Sequence, residues 1–156
     1  MKLSIGLLEV MALVRDVRKQ LVGMRVTNIY DLSAKMFLFT LQESGGVRAT
    51  FLLESGVRFH ATRYSRARPA APSGAAMKLR KHLRGRRLTG IRQLGADRVV
   101  DFRFGNRENE FHIILELYAG GNIILTDRHW KILWLVRRYA YSEDVKVEVG
   151  EVYPVA

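Results

Sequence analysis

At 156 residues the chain is long enough for one domain with a packed core, and it carries 26 Lys and Arg against 15 Asp and Glu, a net charge of +11. The absence of cysteine excludes disulfides, thiolate zinc sites and cysteine nucleophiles, and no apolar run approaches the roughly 20 residues that cross a bilayer. The hydrophobic share of 48% is that of a soluble globular protein, and Glu9 interrupts the short apolar stretch after Lys2, so no signal peptide is expected.

Residues 4–23 predict a first helix, with Leu7, Val10, Met11, Val14, Val17 and Leu21 on one stripe, Ser4 as its cap and Gly23 as its stop. Glu9, Ala12 and Asp16 share the opposite face, which reads as a solvated surface. From 24 to 62 the period changes to two. Val26, Asn28 and Tyr30 alternate with Thr27, Ile29 and Asp31, two apolar runs follow at 36–39 and 50–53, and Phe59 and Ala61 alternate with Arg58 and His60. Turn residues at 31–34, 44–46 and 54–56 separate these segments into an antiparallel meander. Pro69 and Pro72 make 63–74 an exposed loop.

A second helix is expected over 74–84, docking Ala75, Ala76, Leu79 and Leu83 while Lys78, Arg80, Lys81 and Arg84 fill the other arc, and Gly85 ends it. Five further strands are expected within 88–94, 98–104, 110–118, 122–126 and 131–136. In the second of these, Val99, Asp101 and Arg103 alternate with Val100, Phe102 and Phe104, which predicts one core face and one wet face. Gly120 and Gly121 read as a hairpin turn, and the signals over 139–156 are weak. The fold class is therefore α+β, an antiparallel sandwich or barrel with two main helices.

The charge is concentrated in one stretch. Between Ser55 and Ala96 there is no Asp or Glu, while Arg58, Arg63, Arg66, Arg68, Lys78, Arg80, Lys81, Arg84, Arg86, Arg87 and Arg92 are basic. Those 11 charges equal the net charge of the protein, so the remainder balances at 15 against 15. Exposed faces ordinarily mix both signs, and such a stretch points to a polyanionic partner. Nine of the 11 are arginines, whose fork binds phosphate in pairs of hydrogen bonds or stacks on bases. Tyr64 and His82 interleave the charges and either stack on bases or pack at the core rim. Nucleic acid, an acidic protein and an anionic membrane surface all remain compatible with this charge.

Catalytic signatures are missing. His60, His82, His112 and His129 fall in different elements without metal-ligand spacing, and there is no nucleophile elbow, phosphate loop or dinucleotide fingerprint, so no metal or cofactor is expected. Asp97 and Arg98, after Gly95 and Ala96, read on local grounds as turn residues.

The runs Met77-Lys78-Leu79-Arg80-Lys81-His82-Leu83-Arg84, Arg86-Arg87-Leu88 and Gln93-Leu94-Gly95-Ala96-Asp97-Arg98-Val99-Val100-Asp101-Phe102 resemble the N-terminal domain of the NFACT family, that of the NEMF and RqcH ribosome quality control proteins. Gly23-Met24-Arg25-Val26, Asn28-Ile29-Tyr30-Asp31, Leu52-Leu53-Glu54-Ser55-Gly56-Val57-Arg58 and Glu116-Leu117-Tyr118 extend the resemblance over nearly the whole chain. It implies a fold like the N-terminal domain of formamidopyrimidine DNA glycosylases, and a cytoplasmic role on the large ribosomal subunit holding a stalled peptidyl-tRNA. The partners it implies are tRNA (alanyl-tRNA, with threonyl-tRNA in some members) and, for the longer protein of which this would be the N-terminal fragment, a Listerin-type ubiquitin ligase. The family's tailing-associated Asp-Arg pair falls on Asp97 and Arg98, and the family's first-helix aspartate falls on Glu9, where an extra methylene displaces the carboxylate. On the charge pattern, Lys78, Arg80, Lys81, Arg84, Arg86 and Arg87 are expected as the phosphate contacts of an RNA-binding surface. Lys2 and Leu3 stand where the glycosylases carry a proline nucleophile and a glutamate, so no enzymatic activity is expected.

Overall fold

The computed structural model describes residues 6–62, 73–95, 97–118 and 120–155. Helix α1 (Leu7–Leu21) leads into a four-stranded antiparallel meander of β1 (Arg25–Ser33), β2 (Met36–Gln42), β3 (Arg48–Glu54) and β4 (Arg58–Thr62). Helix α2 (Gly74–Leu83) follows, and then a five-stranded antiparallel sheet in chain order: β5 (Leu88–Gln93), β6 (Val99–Phe104), β7 (Phe111–Glu116), β8 (Asn122–Asp127) and β9 (Ile132–Leu135). Two-residue strands β10 (Tyr139–Ala140) and β11 (Lys146–Val147) pair with each other. The α+β class and both helices match the expectation from sequence.

Period-two patterning sends Phe37, Phe39, Phe51 and Phe59 from the first sheet to meet Phe102 and Phe104 of the second, all buried. Phe51 stacks on Phe102 at 5.6 Å and Phe39 on Phe104 at 6.0 Å, offset geometries that add to the area term. Burying each such side chain contributes about 1.5–3 kcal/mol. Val10, Val14, Val17 and Leu21 of α1 and Leu79 and Leu83 of α2 join this core.

Two seams join the sheets. On one side Val26 exchanges backbone hydrogen bonds with Gly85 and Arg86, Leu88 with Gly23 and Met24, and Arg25 bridges to Arg87, so the segment before β5 continues the edge of β1. On the other, the β3–β4 turn meets the β7–β8 turn, where the Gly56 N–H donates to the Glu116 carbonyl at 3.1 Å. Gly121 has φ +56, and a Cβ there would stand 2.4 Å from the Gly56 nitrogen, so the close approach requires glycine.

Three expectations are corrected. Met11 is 50% exposed and not on the buried stripe, since Val10 and Val14 already fix the helix orientation. A bulge at Thr27 in β1 puts Val26 and Ile29 on the same core face, so the simple alternation read across them fails. The face of β6 carrying Val99 and Asp101 is covered, with 6% and 2% exposed: the C-terminal segment lays Val147 and Tyr153 over Val99, Ile114, Ile124 and Ile132 in a second small core, and His112, with Trp130 stacked on it, bonds the Asp101 carboxylate. The expected cap Ser4 and most of the expected 63–74 loop, with Arg63, Tyr64, Arg66 and Arg68, lie outside the described residues. Within them, Gly6 is the N-cap of α1, and its N–H donates to Glu9 Oε1 at 3.3 Å.

Candidate nucleic-acid interface

Helix α2 begins where the Ser73 hydroxyl accepts the Ala76 N–H at 3.1 Å, so the residue that caps the helix belongs to the stretch expected as loop. Its Ala76, Leu79 and Leu83 are buried, and the period of 3.6 then turns Lys78 and Lys81 to solvent. The arginines behave differently. Arg80 donates from Nε to the Ile29 carbonyl at 2.7 Å and lies over the Tyr30 ring at 5.1 Å. Arg84 donates to the Thr27 carbonyl at 3.1 Å, Arg86 to the His82 carbonyl at 2.9 Å, and Arg87 to the Gly23 carbonyl at 2.9 Å. The guanidinium groups of Arg80, Arg84 and Arg87 tie α2 and the segment after it to β1 and to the turn that follows α1, while Arg86 folds back on the last turn of α2 itself. Among the described residues no carboxylate forms a salt bridge with any of the six basic residues from Lys78 to Arg87. The face is thus basic, acid-free and held in place through backbone carbonyls. His82 sits in it against Phe111 at 5.2 Å, and burial first, then Lys78, Lys81 and Arg86, lowers its pKa below the ordinary 6.5.

Asp97 and Arg98 occupy the β5–β6 turn. The Leu94 N–H donates to the Val99 carbonyl, Gln93 Nε2 donates to the Asp97 carbonyl at 2.7 Å, and Leu117 N–H donates to the Arg98 carbonyl at 2.8 Å. The turn is therefore pinned on both sides. The Asp97 carboxylate accepts the backbone N–H of Arg98 at 2.7 Å, a local Asx-type contact, and the side chain is exposed.

The candidate residues do not form one cluster. Arg87 immediately precedes β5 and Asp97 follows its far end, so the length of a six-residue strand, about 20 Å, lies between the basic face and the Asp-Arg turn. Glu9 belongs with the turn in direction. Arg18 Nε and Nη2 grip the Ile91 carbonyl and Gly23 N–H meets the Leu88 carbonyl, so α1 runs antiparallel to β5 and its Glu9 end points toward Gln93.

Two polar clusters escaped the sequence reading. Asp101 and His112 are each 2% exposed; His112 Nδ1 lies 2.8 Å from Asp101 Oδ1 and its Nε2 2.9 Å from Glu110 Oε2, with Trp130 stacked on the ring at 3.9 Å. Glu116 is fully buried and its Oε2 accepts hydroxyls of Tyr139 and Tyr153, each at 2.7 Å. Only the cross-strand register and the covering C-terminal segment bring these groups together, and neither is visible from local spacing.

The chain is 44% identical over 99% of its length to the ribosome quality control complex subunit NEMF homolog of Drosophila melanogaster, covering 16% of that protein. It is 45% identical over 99% of its length to the ribosome quality control complex subunit NEMF of Homo sapiens, covering 14% of it. It therefore spans only about a sixth of the length of the curated relatives it matches. Among solved structures, the N-terminal domain of the fibronectin-binding protein PavA from Streptococcus pneumoniae superposes with a TM-score of 0.83 at 24% identity, over 96% of this chain and 63% of that one, a likeness of fold. The NFACT N-terminal and middle domains model matches residues 7–154, and the chain belongs to that family.

Proposed function

We propose that this chain is the RNA-binding N-terminal part of a ribosome quality control factor. It binds tRNA, alanyl-tRNA and in some settings threonyl-tRNA, together with the large ribosomal subunit holding a stalled peptidyl-tRNA, and supports tailing of the nascent chain without mRNA. The reading is supported by the names of its relatives. The observation that carries it is the acid-free face of α2, where Lys78 and Lys81 stand exposed on a helix fixed by its arginines. Ammonium groups in such an array neutralise phosphates and release counterions. The remaining guanidinium edges of Arg80, Arg84, Arg86 and Arg87 extend the same track. Asp97 and Arg98, with Glu9 on the helix end that points toward them, supply recognition of a tRNA feature about one strand length away. In the full-length protein the remaining domains meet a Listerin-type ligase, and the site of action is the cytoplasm.

The domain acts without catalysis and without a cofactor. Its sandwich is related in this reading to the N-terminal domain of formamidopyrimidine DNA glycosylases, but Lys2 and Leu3 replace their proline and glutamate. Cleavage of an abasic duplex above buffer would overturn that part.

A second reading is an electrostatic module for an acidic protein or anionic membrane, favoured by the arginines being committed through Nε to backbone carbonyls. Binding of deacylated tRNA against heparin separates the two, using wild type, Asp97→Ala and Arg98→Ala. Survival of tRNA binding in heparin, with loss in either variant, supports recognition; stripping by heparin with no effect of either substitution supports the module.

A further inference from the structure

The outer face of the second sheet holds a pocket of about 300 Å³, away from α2. Strand register builds it. Gly90 pairs with Arg103 and Arg92 with Asp101 between β5 and β6, and Arg103 pairs with His112 between β6 and β7, so these residues share one face. Gly90 leaves room for the Arg103 guanidinium, since a Cβ there would stand 3.3 Å from its Nη2. Arg18 reaches the pocket from α1, and Trp130 walls it from the β8–β9 turn. Trp130 has φ +67, a left-handed backbone that a bulky residue adopts only where its surroundings impose it. Here the Asp127 carbonyl accepts its N–H at 3.0 Å, its own carbonyl accepts the Tyr153 N–H at 2.8 Å, and its ring stacks on His112 at 3.9 Å. Each arginine is anchored by one edge and open at another. Arg18 Nε and Nη2 donate to the Ile91 carbonyl, Arg103 Nε and Nη2 donate to Thr89, and Arg92 Nε donates to Asp101 Oδ2 at 3.3 Å. Among the described residues no acceptor engages Arg18 Nη1, Arg103 Nη1 or the two terminal nitrogens of Arg92.

We infer that this pocket docks a protein segment through one acidic side chain, with an apolar neighbour of that side chain packed on Trp130, an inference independent of the tRNA reading above. Guanidinium edges held in place from behind match a carboxylate with paired hydrogen bonds and lose little freedom in making them. Charge sets the number of carboxylates. Arg18, Arg92 and Arg103 outnumber Asp101 and Glu110 by one, so a single carboxylate neutralises the surplus. A run of phosphates would carry further negative charge past Asp101 and Glu110, an obstacle that the acid-free face of α2 does not present. Mixed signs beside an indole suit a peptide, which sets an acidic side chain next to an apolar one, better than a polynucleotide. The volume stands at the lower end of ligand pockets, which begin near roughly 300 Å³, and this restricts the occupant to one side chain and part of the next.

The test is an NMR titration of the whole chain, read on the Trp130 indole N–H and on the Nε–H signals of Arg92 and Arg103. The probes are the capped peptide acetyl-Ala-Phe-Glu-Ala-amide, its Gln counterpart, acetyl-Ala-Phe-Ala with a free C-terminus, and hexauridylate. The pocket signals are expected to shift and saturate with the Glu peptide, and to do so about tenfold more weakly with the Gln peptide. Arg92→Gln, at a side chain 59% exposed, is expected to bring the Glu peptide down to the level of the Gln peptide while the core methyl spectrum stays in place. Arg103→Gln is expected to do the same from the neighbouring strand. Silent pocket signals, equal binding of the Glu and Gln peptides, or binding that survives both substitutions would each overturn the inference. Tighter binding of hexauridylate would make the pocket a nucleic-acid site, and tighter binding of the free C-terminus would make the carboxylate a chain end; either result overturns the assignment to an internal acidic side chain.

Discussion

Arg80 and Ile29 are joined by a hydrogen bond of 2.7 Å from the guanidinium Nε to the backbone carbonyl, and this fastens α2 along the edge of β1. Two residues earlier on the same helix, Lys78 is exposed and makes no salt bridge among the described residues. Charge that looks uniform in the sequence is thus divided between holding the helix and standing in solvent.

Arg80→Ala removes a charge-assisted bond and the packing on Tyr30, and is expected to cost about 1.5–3 kcal/mol of stability, visible in urea or thermal unfolding. Lys78→Ala is expected to stay within about 0.5 kcal/mol of wild type. In tRNA binding the order reverses in character: Lys78→Ala weakens affinity and lowers the slope of log K against log salt by about 1. An unchanged salt slope in Lys78→Ala would remove the lysine from the phosphate track.

Gly121→Ala tests the seam between the sheets. A Cβ at this position would lie 2.5 Å from the Gly56 Cα and 2.4 Å from its nitrogen, on backbone with φ +56. Both neighbours are backbone, so neither yields by changing a rotamer. We expect a loss of more than about 2 kcal/mol, read as a lower urea midpoint with an unchanged m-value. Gly45→Ala, with open space around its Cβ, is the control and is expected to unfold near wild type.

These contrasts also explain what could be read in advance. Val10, Val14, Val17 and Leu21 declare their helix by period alone, because a core face must repeat with the geometry of its own element, while β2 and β3 are declared by the apolar runs at 36–39 and 50–53. The basic stretch was legible because charge needs no fold to be counted. Asp101 and His112 were not, since they lie 11 residues apart and meet only through the β6–β7 register. Period two distinguishes the faces of a strand but does not reveal that His112 and Trp130 close the one that carries Asp101, or that residues 147 and 153 return to cover Val99. The role division among arginines was also hidden, because their Nε partners are main-chain carbonyls that have no letter in the sequence.

The tyrosine cluster gives an alkaline signature. Burial first, then the Glu116 carboxylate and neighbouring hydroxyls, raises the pKa of Tyr153, and burial likewise leads the upward shifts of Tyr118 and Tyr139. A phenol whose folded pKa is raised contributes stability that is full below its unfolded value near 10 and declines above it, as the unfolded chain gives up protons that the folded chain keeps. Absorbance at 295 nm is expected to show incomplete ionisation of the six tyrosines in the folded protein, completed together with loss of the fold. Tyr153→Phe removes one donor from buried Glu116 and is expected to lower stability by about 1–3 kcal/mol at neutral pH. Complete tyrosine titration in a chain still folded would contradict the burial of this cluster.

His82 reports directly on whether α2 meets phosphate. Its pKa is lowered by desolvation foremost and then by Lys78, Lys81 and Arg86, so below about 6.5 the unfolded chain takes up a proton that the folded chain refuses, and the stability held by the neutral ring declines as pH falls toward the folded value. Phosphates seated on Lys78 and Lys81 offset the repulsion that those ammonium groups exert on a protonated ring. Saturation with tRNA is therefore expected to raise the His82 pKa, measured on its imidazole resonances. Linkage requires the reciprocal effect: tRNA must bind more tightly as pH falls through that range, and His82→Gln must flatten this part of the pH dependence. Lys78→Ala should raise the His82 pKa in the free protein and shrink the further rise on adding tRNA, since one of the charges being neutralised is already gone. A His82 pKa that does not move with saturating tRNA would place the phosphate chain elsewhere on the domain.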